Sequence, residues 1–94
     1  MTEGRYRVDL APAAQRQLRR LPPGDAARLR GPIQAFATTP RPPGAIKLAS
    51  TDFWRLRVGE LRIVNLIDDE DRLVVIVKVA RRSESTYRRI EPSP

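Results

Sequence analysis

The 94-residue chain contains no cysteine. A disulfide scaffold, a thiolate zinc site and a thiol nucleophile are therefore excluded. It contains no histidine either, so no imidazole can serve as general base or metal ligand. No apolar run approaches the roughly 20 residues that cross a bilayer. The first residues, Met-Thr-Glu-Gly-Arg-Tyr-Arg, lack the apolar stretch of a signal peptide. These absences predict a soluble cytoplasmic protein without membrane association. The length fits one domain over residues 1–94, and 40% hydrophobic content supports a modest core.

What the chain has is positive charge. Eighteen Lys and Arg face eleven Asp and Glu, a net charge of +7. Sixteen of the eighteen are arginines; Lys47 and Lys78 are the lysines. A GC-rich coding bias explains the arginine excess but not the net charge. Asp68, Asp69, Glu70 and Asp71 sit together, so the rest of the chain balances at +11. Such a surface suits a polyanion: nucleic acid, a ribosome or an acidic protein.

Periodicity divides the chain into a helical half and a strand half. Tyr6, Val8 and Leu10 alternate with Arg7 and Asp9, a short strand with one buried face. Ala11-Pro12 opens a helix, with Asp9 offered as its cap and Ala14, Leu18 and Leu21 on its apolar side. Pro22-Pro23-Gly24-Asp25 reads as a break. A second helix is predicted from about Ala26 to Thr38, with Leu29, Ile33, Phe36 and Ala37 buried. Pro32 inside it should kink or split it. After the Pro-rich connector 39–44 the period becomes two. Ile46-Lys47-Leu48 reads as a short strand. Phe53–Val58, Leu61–Ile67 and Leu73–Ala80 read as three full ones. The acidic run 68–71 reads as a solvated turn. The fold class is α+β, with order β-α-α-β-β-β. It implies a small antiparallel sheet with the N-terminal helical hairpin packed on one face.

Gly59-Glu60 fits a two-residue type II′ hairpin turn. That turn sets Val58 opposite Leu61, Arg57 opposite Arg62 and Arg55 opposite Val64. Trp54, Leu56, Val58, Leu61 and Ile63 then share an apolar face, and Arg55, Arg57 and Arg62 share the other. Like charges in direct register cost some tenths of a kcal/mol. Two readings stand: the guanidiniums splay into water, or they hold an anion. A second basic cluster comprises Lys78, Arg81, Arg82, Tyr87, Arg88 and Arg89. Pairing of the last two strands predicts Arg81 or Arg82 close to Arg62 and Arg57. Guanidiniums around an aromatic ring suit single-stranded RNA; Tyr87 either stacks on a base or anchors a short C-terminal helix.

From Tyr6 to Ile90 the chain resembles the RelE/ParE superfamily of bacterial toxins, and more its RelE branch. The resemblance rests on Lys47-Leu48, the basic strand Phe53-Trp54-Arg55-Leu56-Arg57-Val58, the hairpin segment Arg62-Ile63-Val64, and Val77-Lys78-Val79-Ala80-Arg81-Arg82 followed by Tyr87. It implies a RelE-like fold and the toxin role in a type II toxin–antitoxin system. RelE-like toxins are ribosome-dependent mRNA endonucleases, held inactive by a cognate antitoxin, and operator DNA is bound only through the antitoxin complex. Cleavage proceeds by 2′-hydroxyl attack without metal or other cofactor. The resemblance implies that Arg55 and Arg57 contact the scissile phosphate, and that Arg62 stabilises its charge. It implies that Arg82, or Arg81 if the register slips by one, protonates the leaving oxygen, and that Tyr87 positions a base or the attacking hydroxyl. The catalytic set is thus Arg57, Arg62, Arg82 and Tyr87; Arg55, Lys47, Lys78 and Arg81 are the substrate-binding set. Arginine stays protonated, so Arg57 is a poor base. Either Arg57 works by electrostatics alone, with water or the ribosome taking the proton, or the enzyme is slow; Glu60 and Glu84 are conceivable bases. The alternative is a ParE-like toxin that inhibits DNA gyrase without cutting, and a third reading is a degenerate toxin that only binds its antitoxin and operator.

Overall fold

Three runs rich in Val, Ile and Leu build an antiparallel meander at the centre of the molecule. The computed structural model describes residues 5–81. Its elements are β1 (Arg7–Leu10), α1 (Pro12–Arg20), α2 (Pro23–Ala35), β2 (Ile46–Lys47), β3 (Phe53–Val58), β4 (Leu61–Asp68) and β5 (Leu73–Arg81). They form one five-stranded sheet in the order β1-β5-β4-β3-β2. The sheet is mixed: β1 runs parallel to β5, with Arg7 opposite Leu73 and Leu10 opposite Ile76. This corrects the purely antiparallel sheet expected from the sequence. The strands after residue 45 are joined by loops short enough to force antiparallel pairing. By contrast, β1 leads into two helices and can take either direction.

The helices begin on prolines. Pro12 and Pro23 occupy first-turn positions, where the missing N–H would have no helical partner anyway. Ala11 is the N-cap of α1 and no side chain caps it. Asp9, expected there, is held in β1, where it accepts a hydrogen bond from Arg7 Nε at 3.2 Å. The second helix starts three residues earlier than expected, at Pro23, and ends at Ala35. Pro32 does not split it. A single intrahelical bond is lost there, while Leu29 and Phe36, both buried, fasten the helix on either side.

Helices and sheet meet in one core. Ala14, Leu29 and Phe36 pack with Leu56, Leu61, Ile63, Val74, Ile76 and Val79. The sheet residues among them belong to one face. Along β3 and β4 they follow simple alternation, but along β5 they do not. Val64 pairs with Lys78, yet Asn65 pairs with Ile76, so Val77 is an extra residue in β5. This bulge lets Ile76 and Val79 both face the core. The edge partner β1 ends opposite Ile76. Beyond it the Val79 N–H is taken by Gln17 Oε1 of α1 at 2.9 Å, which satisfies a donor that burial would otherwise orphan. No helix among the described residues is long and apolar enough to cross a membrane.

Candidate functional site

The β3–β4 hairpin has the register its turn demands. Val58 pairs with Leu61, Arg57 with Arg62, Leu56 with Ile63 and Arg55 with Val64. Gly59 has φ 61°, and Glu60 is not among the positive-φ residues, as a type II′ turn requires. Val58 and Leu61 close the loop, so Arg57 and Arg62 fall in the narrow, non-hydrogen-bonded position where side chains lie closest. On β5, Ala80 lies opposite Arg62 and Lys78 opposite Val64.

The face turned away from the helices therefore carries two rows. The first is Arg57–Arg62–Ala80; the second is Arg55–Val64–Lys78. Arg57 and Lys78 are exposed, while Arg55 and Arg62 are half-buried. The Nε atoms of Arg55 and Arg62 are buried and have no hydrogen-bond partner among the described residues. Among the described residues, none of these four cations joins an ion pair. A buried donor on a charged group is costly to leave unsatisfied. A phosphodiester backbone offers acceptor oxygens that the outward ends of such guanidiniums can bind.

The structure does not gather all the expected residues here. Lys47 pairs with Trp54, which puts it on the opposite side of the sheet from Arg55. Arg81 pairs with Leu61 and so lies on the core side. There it donates to Asp25 Oδ2 in α2, and Arg28 NH1 approaches the same carboxylate at 3.9 Å. The expectation that Arg81 joins Arg57 and Arg62 is thus corrected; strand alternation beyond the bulge turns it to the other face. Arg82 and Tyr87 lie outside the described residues.

A second polar cluster escaped the sequence reading. The Tyr6 hydroxyl donates to Asp69 Oδ1 at 2.6 Å. Arg41 donates to both Asp69 oxygens, at 3.1 and 2.9 Å. The Arg41 guanidinium also lies 5.1 Å from the centre of the Trp54 ring. The acidic turn is exposed as expected, but it is not merely solvated. It staples the Pro-rich connector to the start of β1 and the end of β4. These partners lie 28 and 63 residues away in sequence, and no local pattern announces them.

The Arg41 and then the Tyr6 hydrogen bonds hold the Asp69 carboxyl below the usual carboxylate range. The hydrogen bond to Asp69 raises Tyr6 above the ordinary phenol value, and Asp69 likewise raises Arg41. A depressed folded-state value stabilises the fold above the unfolded carboxylate pKa of about 3.9. That contribution is lost as pH falls through the folded value. The expected result is that Asp69→Asn melts below the wild type at pH 7 and that the gap narrows as pH falls below about 4. An unchanged gap at pH 2, followed by thermal denaturation, would contradict the staple.

A family model described as the ParE toxin of the type II toxin–antitoxin system parDE matches residues 8–86. Solved structures agree on the fold. A chain of the archaeal RelE–RelB complex from Pyrococcus horikoshii is 27% identical, with a TM-score of 0.75 and coverage of 89% of this chain and 99% of that one. The RelBE2 toxin–antitoxin complex of Mycobacterium tuberculosis gives 28% identity, a TM-score of 0.68 and coverage of 83% and 99%. The isolated RelE toxin of E. coli matches in fold, with 22% identity, a TM-score of 0.72 and coverage of 92% and 96%. Two helices on a five-stranded mixed sheet are thus the RelE-like architecture, and with a family match over most of its length the chain belongs to the ParE toxin family of type II toxin–antitoxin systems, within the RelE/ParE superfamily.

Proposed function

We propose that the face away from the helices is an mRNA-cleaving site and that the protein is a ribosome-dependent endoribonuclease of the RelE kind. The observation that carries the reading is the Arg57–Arg62 cross-strand pair, two like charges in direct register with no ion-pair partner among the described residues. The 2′-oxygen of a nucleotide attacks the adjacent phosphorus, the bond from phosphorus to the 5′-oxygen breaks, and a 2′,3′-cyclic phosphate and a 5′-hydroxyl result. Negative charge grows on the phosphorane oxygens. Fixed guanidiniums are suited to stabilise it, since they need no reorganisation as the charge develops. Arg57 and Arg62 take that role. The 2′-hydroxyl proton goes to water or to the ribosome, because arginine does not accept it. Arg82 and Tyr87 keep the roles that the resemblance implies: proton donor to the 5′-oxygen, and positioner of a base or of the attacking hydroxyl. Lys47 and Arg81 drop out of the site.

By similarity to the RelE–RelB and RelBE2 complexes, the partner that silences the toxin is a RelB-like antitoxin, and action on ribosomes implies a cytoplasmic protein. The family match favours a second reading, since its description is of ParE; on that reading the toxin inhibits DNA gyrase and cuts nothing. Induced expression followed by mapping of RNA 5′ ends separates the two. New 5′-hydroxyl ends inside translated frames are expected. Intact mRNA accompanied by a DNA-damage response would favour the gyrase reading.

A further inference from the structure

The two basic rows are spaced like neighbouring links of a nucleic-acid strand. They lie two residues apart along β3 and β4, or about 6.7 Å, comparable to the separation of successive phosphates in an extended single strand. Arg55 and Lys78 flank Val64 from either side. Valine is short, which leaves room for the two long cationic side chains to reach over it. The next row along the face, Phe53–Leu66–Val75, is apolar. The cationic track is therefore two rungs long.

The second rung exists because of the bulge. In unbroken register from the Asp68–Leu73 pair, Val64 would face Val77, and Lys78 would face Ile63 in the core. The extra residue Val77 re-aims Lys78 onto the basic face, a recognised use of bulges. A lysine turned outward by a local irregularity, in the same row as an arginine whose Nε has no acceptor among the described residues, is a built feature rather than scattered charge.

Resting on the RNA-backbone reading, we propose that this face grips two successive phosphates of one single-stranded RNA, with Arg57 and Arg62 on the scissile phosphate and Arg55 and Lys78 on its neighbour. Lys78 is thereby a substrate-binding residue with its own phosphate, distinct from the one that reacts.

The test uses the full chain, free of antitoxin, and a labelled five-nucleotide single-stranded RNA whose linkages are made neutral one at a time as methylphosphonates. Wild type is expected to lose affinity roughly fivefold at each of two adjacent linkages, the scale of one exposed charge contact. Lys78→Ala is expected to bind the unmodified RNA roughly fivefold more weakly. It should be less sensitive than wild type at one of those linkages, where Arg55 remains, and normally sensitive at the other. In the Arg55→Ala/Lys78→Ala double variant the slope of log affinity against log salt should fall by about 0.7, one single-strand phosphate contact. Arg55→Ala should show reduced sensitivity at the same linkage as Lys78→Ala, and Arg57→Ala at the other. Equal sensitivity of Lys78→Ala and wild type at every linkage would overturn the proposal, as would no binding by wild type at low salt. Binding does not require the bond to break. Two sensitive linkages with no mRNA cleavage would remove the nuclease reading and keep the two-phosphate site. Cleavage without a linkage-specific effect of Lys78→Ala would do the reverse.

Discussion

Arg62→Ala is expected to slow mRNA cleavage on ribosomes by about 100-fold or more while the melting temperature stays level or rises. Removing one preorganised donor from a developing oxyanion typically costs about 10²–10³ in rate. The stability side has the opposite sign. Arg62 stands directly opposite Arg57, and its buried Nε has no acceptor among the described residues. Both features burden the free protein, so truncation relieves a like-charge contact worth some tenths of a kcal/mol and removes an unsatisfied donor. Activity lost with stability kept or gained is the signature of a residue retained for what it binds. Thermal melting alongside a cleavage assay on programmed ribosomes checks both halves. A variant that melts earlier and cuts normally would make Arg62 a structural residue.

Phe36→Ala should have the largest effect on folding. Phe36 is among the largest fully buried side chains, at 1% exposure, where α2 ends. The next residue holds the start of the sheet, since the Tyr6 N–H donates to the Ala37 carbonyl at 2.7 Å. Emptying this position costs about 3–5 kcal/mol. A domain of this size has about 5–14 kcal/mol in all. The melting temperature is expected to fall by about 15–25 °C, and Phe36→Leu by much less. Calorimetry or circular dichroism measures the drop. A loss under 5 °C would mean that the core is organised around other residues.

The hairpin could be read residue by residue because a two-residue turn leaves no freedom: once Gly59-Glu60 is the loop, the Arg57–Arg62 pairing follows from counting. The helices are legible from periodicity, and α1 opens at Pro12 as expected; the start of α2 is the one that differs. Pro22 and Pro23 looked like a break, whereas proline is as much at home in a first turn. The direction of β1 was not legible, because a helical hairpin intervenes before its partner strand. The bulge was hidden for a different reason. Val74 to Val79 is β-forming on both faces, so the sequence did not mark which residue is the extra one. That one step decides that Lys78 faces outward and Arg81 inward. The Arg81–Asp25 contact spans 56 residues, and the Arg41–Asp69–Tyr6 staple joins three separate segments. Such tertiary pairings leave no local trace.

The most direct measurement is the cleavage rate of the Arg57→Ala/Arg62→Ala double variant on programmed ribosomes, set against each single variant. The two guanidiniums share one phosphate on this account, so the double variant should lose little more than the worse single one, and all three should fall about 100-fold or more. A double variant that still cuts within threefold of wild type would show that the basic face does not carry the chemistry.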